Sequence, residues 1–122
     1  MPRIPLISIV DDDEALRRSL DNLIRSAGFR ARGFASAEAF LESNQLGETD
    51  CLILDVRMPG MSGLELQRQL ALANSDLPII FITAHGDRDR TQALEAGAVA
   101  FLYKPFYEEQ LLQAINAALK HM

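Results

Sequence analysis

The stretch Leu6-Ile7-Ser8-Ile9-Val10-Asp11-Asp12-Asp13 decides the fold, because a nearly continuous apolar run ends abruptly in acidic residues. Such a run is typical of a strand that is covered on both faces. A helix follows, with apolar residues at helical spacing: Leu16, Leu20, Leu23, Ile24 and Ala27. Gly28 stands where a helix C-terminal cap is expected. A buried strand followed by an amphipathic helix is the repeating unit of parallel α/β sheets.

The same unit recurs along the chain. Further strands are predicted over Arg30–Phe34, Cys51–Leu54, Pro78–Ile82 and Val99–Tyr103. Helices are expected to begin after Ser36 and Ser62, to run from about Asp87 to Ala96, and to follow Lys104-Pro105. Five βα units predict an α/β, flavodoxin-like (βα)5 fold, with a doubly wound five-stranded parallel sheet and helices on both faces. We expect residues 1–122 to form a single domain.

The composition narrows the classes of function. Twelve Lys and Arg against seventeen Asp and Glu give a net charge of −5, which argues against direct nucleic-acid binding by this domain. The longest apolar run, Leu77–Ile82, is far shorter than the roughly 20 residues that span a bilayer. Cys51 is the only cysteine, which excludes an internal disulfide, and it is expected to be a small core residue. These features predict a cytoplasmic protein without membrane association.

Polar residues terminate the predicted strands. Asp11, Asp12 and Asp13 follow the first strand and Asp55 follows the third. Because parallel strands end at one edge of a sheet, these carboxylates are expected to converge and repel one another. A divalent cation with oxygen ligands would relieve the repulsion, and Mg²⁺ or another such cation, for example Mn²⁺, is the candidate. For Asp13 we favour a role as the N-cap of the first helix.

Three strand-end residues also suggest phosphoryl chemistry. A carboxylate placed like Asp55 can act as a nucleophile toward phosphorus and form an acyl phosphate. Lys104 and a metal ion would neutralise the transferring group, and Thr83 could donate a hydrogen bond to it. Taken alone, Thr83 is an ordinary strand residue and Lys104 an ordinary surface lysine. Their shared position at strand ends favours the functional interpretation.

Four separated motifs make the chain resemble the receiver domain of bacterial two-component response regulators. They are Ile9–Asp13, Leu54–Gly63, Ile82–Ala84 and Tyr103–Phe106. Within that family the segments 83–87 and 96–98 are similar to the nitrogen-fixation regulator type, which carries a helix-turn-helix output domain. The ending at Lys120-His121-Met122 is compatible with a receiver excised from a longer transcription factor, and a complete single-domain regulator is the other possibility.

The resemblance implies specific roles at the acidic site. Asp55 would accept a phosphoryl group from a sensor histidine kinase. Asp12, Asp55 and the backbone carbonyl of Arg57 would bind Mg²⁺ directly, and Asp11 would act through water. Because any residue would offer this carbonyl, the guanidinium of Arg57 could simply point to solvent. The protein would be a signalling phosphoacceptor rather than an enzyme, although it would assist its own phosphorylation and dephosphorylation.

The resemblance also implies a switch. Thr83 and Lys104 would contact the phosphoryl group, and Lys104-Pro105 would be a cis peptide. Phosphorylation would pull Thr83 toward that group and let Phe101 turn inward, reshaping the surface of the fourth helix, fifth strand and fifth helix, through which homodimers can form. An ordinary buried strand residue is the other interpretation of Phe101. His85 would either tune acyl-phosphate hydrolysis or be a solvated loop residue.

Two other functions remain open. A phosphatase with an aspartyl-phosphate intermediate typically carries a second Asp two residues after the nucleophile, where this chain has Arg57, which cannot donate a proton at neutral pH. A flavodoxin-like binding module needs a phosphate-binding loop after the first strand, where this chain has the four acids of residues 11–14. Both features favour the signalling hypothesis, whose output would be control of transcription.

Overall fold

The computed structural model describes residues 3–84 and 87–120, in which strands and helices alternate. The strands are β1 (Leu6–Val10), β2 (Arg30–Phe34), β3 (Cys51–Asp55), β4 (Ile79–Thr83) and β5 (Ala100–Tyr103). The helices are α1 (Glu14–Ser26), α2 (Ala37–Glu42), α3 (Gly63–Leu72), α4 (Asp87–Glu95) and α5 (Glu108–Leu119).

The five strands form one parallel sheet in the order β2-β1-β3-β4-β5. Every residue of β1, β3 and β4 is buried, whereas the edge strands β2 and β5 mix buried, partly exposed and exposed residues. This explains why the inner strands are mostly apolar, with Ser8, Asp55 and Thr83 as their buried polar residues. The strand order reverses between β1 and β3, and in sheets of this kind a crevice opens there at the carboxyl ends of the strands.

Helices cover both faces of the sheet, so alternate strand residues enter two separate cores. Cys51 and Ile53 point into the core shared with α1 and α5, while Leu52 and Leu54 point into the core shared with α2, α3 and α4. Burial raises the pKa of the Cys51 thiol to about 12, with a smaller contribution from the charge of Asp50. The flavodoxin-like, doubly wound architecture is therefore confirmed, and Cys51 is a core residue.

The side chains expected to cap helices do so. Asp13 Oδ1 accepts a hydrogen bond from the Leu16 amide at 3.2 Å, and Ser36 and Ser62 cap α2 and α3 in the same way. Gly28 adopts a φ of 96° just after α1, a conformation that favours glycine. These caps fix where each helix begins or ends relative to the sheet edge.

Some boundaries differ from the prediction by one residue. Strand β4 begins at Ile79 rather than Pro78 and includes Thr83, because proline has no N–H to donate to the ladder. Strand β5 begins at Ala100, and α4 ends at Glu95. Within residues 3–84 and 87–120, the helices are all too short or too polar to cross a membrane.

Candidate phosphoryl and metal site

The carboxyl edge of the sheet brings the predicted site residues together. Asp11 and Asp12 follow β1, and Asp55 is the last residue of β3. One carboxylate oxygen from each of the three lies within 4.8 Å of the others. Thr83 ends β4 and Lys104 directly follows β5, so both stand at the same edge. The parallel topology alone accounts for this convergence.

Asp11 is completely buried and firmly held. Its carboxylate accepts hydrogen bonds from the Asp13 amide at 2.9 Å and from Lys104 Nζ at 3.0 Å. Its backbone carbonyl accepts a hydrogen bond from Arg17 Nη1 at 2.7 Å. Lys104 thus pairs with the buried anion, because an unpaired charge at this depth would be very costly, and Arg17 holds the Asp11 backbone.

Asp55 lies in an environment that disfavours its charged form. Burial raises the pKa of its carboxyl to about 6, and the neighbouring charges of Asp11 and Asp12 act in the same direction. Lys104, whose Nζ is 3.7 Å from Asp55 Oδ2, and the backbone N–H of Arg57 partly offset this rise in pKa. The site therefore holds more negative charge than its own cation neutralises.

The three carboxylates could hold a metal ion. Asp11 and Asp55 are buried and Asp12 is exposed, which gives a cluster of hard oxygen donors with one side open to solvent. Such a set suits a divalent cation that binds few carboxylates and keeps several waters. The raised pKa of Asp55 fits this interpretation, because an added positive charge would favour its ionised form.

Gly63 packs directly behind Asp55. A Cβ atom at this position would lie 2.1 Å from the Asp55 backbone carbonyl oxygen, which is shorter than any real contact. The Gly63 amide also donates to the Val56 carbonyl at 2.8 Å. The start of α3 can therefore approach the end of β3 only because residue 63 has no side chain.

The β3–α3 loop (residues 56–62) is held on one flank by α2. The Met61 amide donates to Glu38 Oε2 at 3.1 Å. Gly60 has a φ of 79°, and a Cβ atom there would lie 2.5 Å from the same Glu38 oxygen. The Glu38 side chain thus fits closely against this loop.

The other flank of the loop contacts α4. Arg57 Nη2 lies 3.3 Å from Asp89 Oδ2. The Arg57 side chain is 64% exposed, as the sequence suggested, and its guanidinium also forms an ion pair with Asp89.

Thr83 and Lys104 are joined through the backbone. Thr83 is 1% exposed, and its carbonyl oxygen accepts a hydrogen bond from the Lys104 amide at 2.8 Å. The Lys104-Pro105 peptide is cis. The Lys104 ammonium lies between the carboxylates of Asp11 and Asp55.

Phe101 already lies in the core. It is 8% exposed, and its ring centroid is 5.9 Å from that of Phe81 and 5.4 Å from that of Tyr103. An inward turn from an exposed position is therefore not available from the arrangement seen here, since the core of α2, α3 and α4 already encloses the ring. Tyr103, in contrast, is 36% exposed.

Several contacts at the site had no sequence signal. Arg17, Glu38 and Asp89 are charged residues on helices, where a solvated role is the ordinary expectation. The sequence placed Gly63 in the loop and at the helix start, but it did not predict the close approach of Gly63 to Asp55. His85, for which a tuning role and a solvated loop position were both open, lies outside the described residues.

The fold and site define a class of α/β proteins with an acidic pocket and an adjacent lysine at the sheet edge. Over residues 7–116 the sequence matches the response regulator receiver domain family. The chain belongs to this family.

Curated relatives and solved structures are consistent with that assignment. The chain is 50% identical over 114 residues to Nodulation protein W of Bradyrhizobium diazoefficiens, covering 93% of the chain and 50% of that protein. It is 51% identical to the response regulator protein TodT of Pseudomonas putida, covering 97% and 52%. The crystal structure of FixJ-N superposes with a TM-score of 0.89 at 38% identity, covering 99% of this chain and 98% of that one. The similarity to the nitrogen-fixation regulator type is thereby supported.

The chain spans about half the length of these curated relatives. Their names describe whole proteins, of which this sequence corresponds to the receiver part.

Proposed function

We propose that Asp55 accepts a phosphoryl group from a sensor histidine kinase in a Mg²⁺-dependent reaction. The observation that supports this most is the arrangement around Asp55, where two further carboxylates and the Lys104 ammonium surround one strand-end carboxylate. Family membership agrees with it. The protein is then a signalling phosphoacceptor that assists its own phosphorylation and dephosphorylation, and not an enzyme acting on a separate substrate.

The chemical step is a displacement at phosphorus. An oxygen of ionised Asp55 attacks, so an O–P bond forms while the N–P bond of the donor phosphohistidine breaks. The imidazole leaves with the electron pair of that bond, as neutral imidazole when its other nitrogen carries a proton. Lys104 and Thr83 stand at the same edge and would stabilise the charge on the phosphoryl oxygens.

The metal requirement follows from the charge of the site. Asp12, Asp55 and the Arg57 backbone carbonyl would hold Mg²⁺, with Asp11 acting through water. Bound there, the ion would supply positive charge that offsets the acidic cluster and the incoming phosphoryl oxygens. Lys104 alone cannot do this, since it is already shared between Asp11 and Asp55.

An apolar groove beside the site suits the phosphodonor. Leu16, Leu20 and Leu23 of α1 line it together with Phe106, and Lys104 and Pro105 connect it to the acidic cluster. A domain docked in this groove would present its phosphohistidine next to Asp55. We therefore assign the groove to the kinase partner.

The conformational output involves α4, β5 and α5. Phosphorylation would shift an existing equilibrium through Thr83 and Phe101 toward a form in which this surface differs and can pair with a second copy. Because Phe101 is already buried, the change at this ring would be one of packing against Phe81 and Tyr103. The output would be control of transcription by a linked helix-turn-helix domain, with residues 1–122 as one receiver unit in the cytoplasm.

The direct test is phosphorylation with a small donor. We expect incubation with Mg²⁺ and phosphoramidate to add the mass of one phosphoryl group to the intact chain. Asp55→Asn should prevent it, whereas Asp76→Asn, an exposed acid, should not. An unmodified wild-type chain, or full labelling of Asp55→Asn, would exclude the proposal.

A further inference from the structure

One arginine contacts both the acidic site and α4. The backbone N–H of Arg57 donates to the Asp55 carboxylate, while its guanidinium pairs with Asp89 at 3.3 Å. Asp89 stands in the first turn of α4, and its side chain is 16% exposed. Any rearrangement of Arg57 at the site therefore changes a contact that α4 receives.

General electrostatic effects explain part of why Arg57 and Asp89 form an ion pair. An acid in the first turn of a helix is favourable at the positive end of the helix dipole, and exposed ion pairs contribute little to stability. Neither effect requires the partner of Asp89 to lie two residues after Asp55. That position places the Arg57 backbone against the Asp55 carboxylate.

A phosphoryl group at Asp55 would offer Arg57 a stronger partner than Asp89. It carries a charge of about −1.5 to −2 and three acceptor oxygens, and a guanidinium binds such a group through two parallel hydrogen bonds. The other cation at the site, Lys104, is already shared by Asp11 and Asp55. A guanidinium that is 64% exposed can exchange partners with little loss of packing.

We propose that the Arg57–Asp89 ion pair holds the first turn of α4 against the β3–α3 loop, and that a phosphoryl group on Asp55 competes with Asp89 for the Arg57 guanidinium. The inference rests on the proposed function of Asp55. Phosphorylation then releases α4 by removing one ion-pair partner. Arg57 and Asp89 act as positioning residues, because neither is needed for the displacement itself.

Phosphorylation rates of four variants test the competition. Asp89→Asn frees Arg57, so we expect labelling by acetyl phosphate in Mg²⁺ to be about two- to fivefold faster, the range that an exposed ion pair supports. Glu95→Gln removes the same charge from the other end of α4 and should leave the rate unchanged. When Arg57 is already replaced by Gln, Asp89→Asn should not speed labelling relative to Arg57→Gln alone. This comparison separates the ion pair from a general change in charge.

Hydrogen exchange of the α4 amides supplies a second readout. Beryllium fluoride, a phosphoryl mimic, should speed exchange in the first turn of α4 in the wild type. Asp89→Asn and Arg57→Gln should already show the faster exchange without it, and Glu95→Gln should not. Equal rates and equal exchange in Asp89→Asn and Glu95→Gln would overturn the inference.

These experiments distinguish failure of the ion-pair inference from failure of the phosphoacceptor function. If the wild type is labelled and Asp89→Asn behaves like Glu95→Gln, the ion pair has no regulatory role and the phosphoacceptor function stands. If no chain is labelled, including the wild type, the phosphoacceptor function fails and the inference fails with it. Circular dichroism of each variant verifies that the overall helix content is retained.

Discussion

At the scale of single residues, the site is a balance of charges around Asp55. Burial and two neighbouring carboxylates raise the pKa of Asp55 to about 6, while Lys104 and a backbone N–H oppose the rise. A group whose pKa is higher in the folded than in the unfolded state binds more protons when folded. Ionised Asp55 therefore reduces the stability of the metal-free protein.

This balance predicts how Asp55→Asn affects stability. Without divalent metal, the free energy of unfolding of the wild type should fall as pH rises from 3.8 to about 6, because folding then requires a buried charge. Near neutral pH, Asp55→Asn should be more stable by on the order of 1–3 kcal/mol. The gain should vanish below pH 3.8. Urea unfolding in a chelating buffer at several pH values measures this.

Asp76→Asn serves as the control, because it changes the net charge by the same amount at an exposed position. If the two variants respond to pH in the same way, the buried charge of Asp55 does not explain the effect.

Gly63 sets how closely α3 approaches Asp55. A methyl group in Gly63→Ala would meet the Asp55 carbonyl at 2.1 Å, so the backbone must shift. We expect a loss of about 1–3 kcal/mol in the free energy of unfolding, as for other overpacked sites. Gly47→Ala is the matched control, since a Cβ there meets nothing within 4 Å. Equal unfolding midpoints in the two variants would refute the close packing.

At the scale of elements, the β3–α3 loop is held between α2 and α4. Glu38 of α2 accepts a hydrogen bond from Met61, and Asp89 of α4 pairs with Arg57. The loop contains Arg57, whose backbone N–H donates to the Asp55 carboxylate. We assign the backbone carbonyl of the same residue to the metal. Groups that orient metal ligands commonly alter metal affinity when they are removed.

Glu38→Ala should therefore weaken Mg²⁺ binding. Because Glu38 is exposed, we expect a change of about two- to fivefold in the dissociation constant, less than for a buried supporting group. Isothermal titration calorimetry of the 122-residue chain measures it. Glu42→Ala, at the other end of α2, removes the same charge away from the loop. Equal affinities for the two variants would show that Glu38 does not support the site.

The elements also explain what the sequence could predict. Strands β1, β3 and β4 are buried on both faces, so their apolar runs and polar ends are visible in the sequence, and the site residues follow from them. The start of β5 was less clear, since only the pairing with β4 decides whether Val99 joins the ladder.

Contacts between helices and loops could not be predicted. Arg57 and Asp89 are 32 residues apart in the chain, and Glu38 and Met61 are 23 apart. Their meeting depends on how α2 and α4 pack on the sheet, for which the local sequence has no signal. The position of the Phe101 ring was equally hidden, because periodicity places it on a face but does not fix how deeply it packs.

At the scale of the whole molecule, the site lies at one edge of the sheet and the proposed output surface runs along α4, β5 and α5. Thr83 is the last residue of β4 and Lys104 directly follows β5. A backbone hydrogen bond between them connects the site with the output surface. A charge added at Asp55 can thus act on β5 through Lys104 and on α4 through Arg57.

Self-association should depend on the state of Asp55. With Mg²⁺ and beryllium fluoride we expect sedimentation to show a shift from monomer to dimer, which Asp55→Asn prevents. Tyr103→Ala, which trims a partly exposed ring on β5, should weaken the dimer while still allowing phosphorylation. A wild-type chain that remains monomeric under these conditions would exclude a phosphorylation-dependent dimer through this surface.

The most direct measurement identifies the carboxylate that carries the phosphoryl group. After treatment with acetyl phosphate and Mg²⁺, borohydride reduces an aspartyl phosphate to homoserine, which peptide mass spectrometry locates in the chain. We predict homoserine at position 55 and only when Mg²⁺ is present. Homoserine at position 11 or 12, or its absence from a chain that has bound Mg²⁺, would contradict the assignment of Asp55 as the phosphoacceptor.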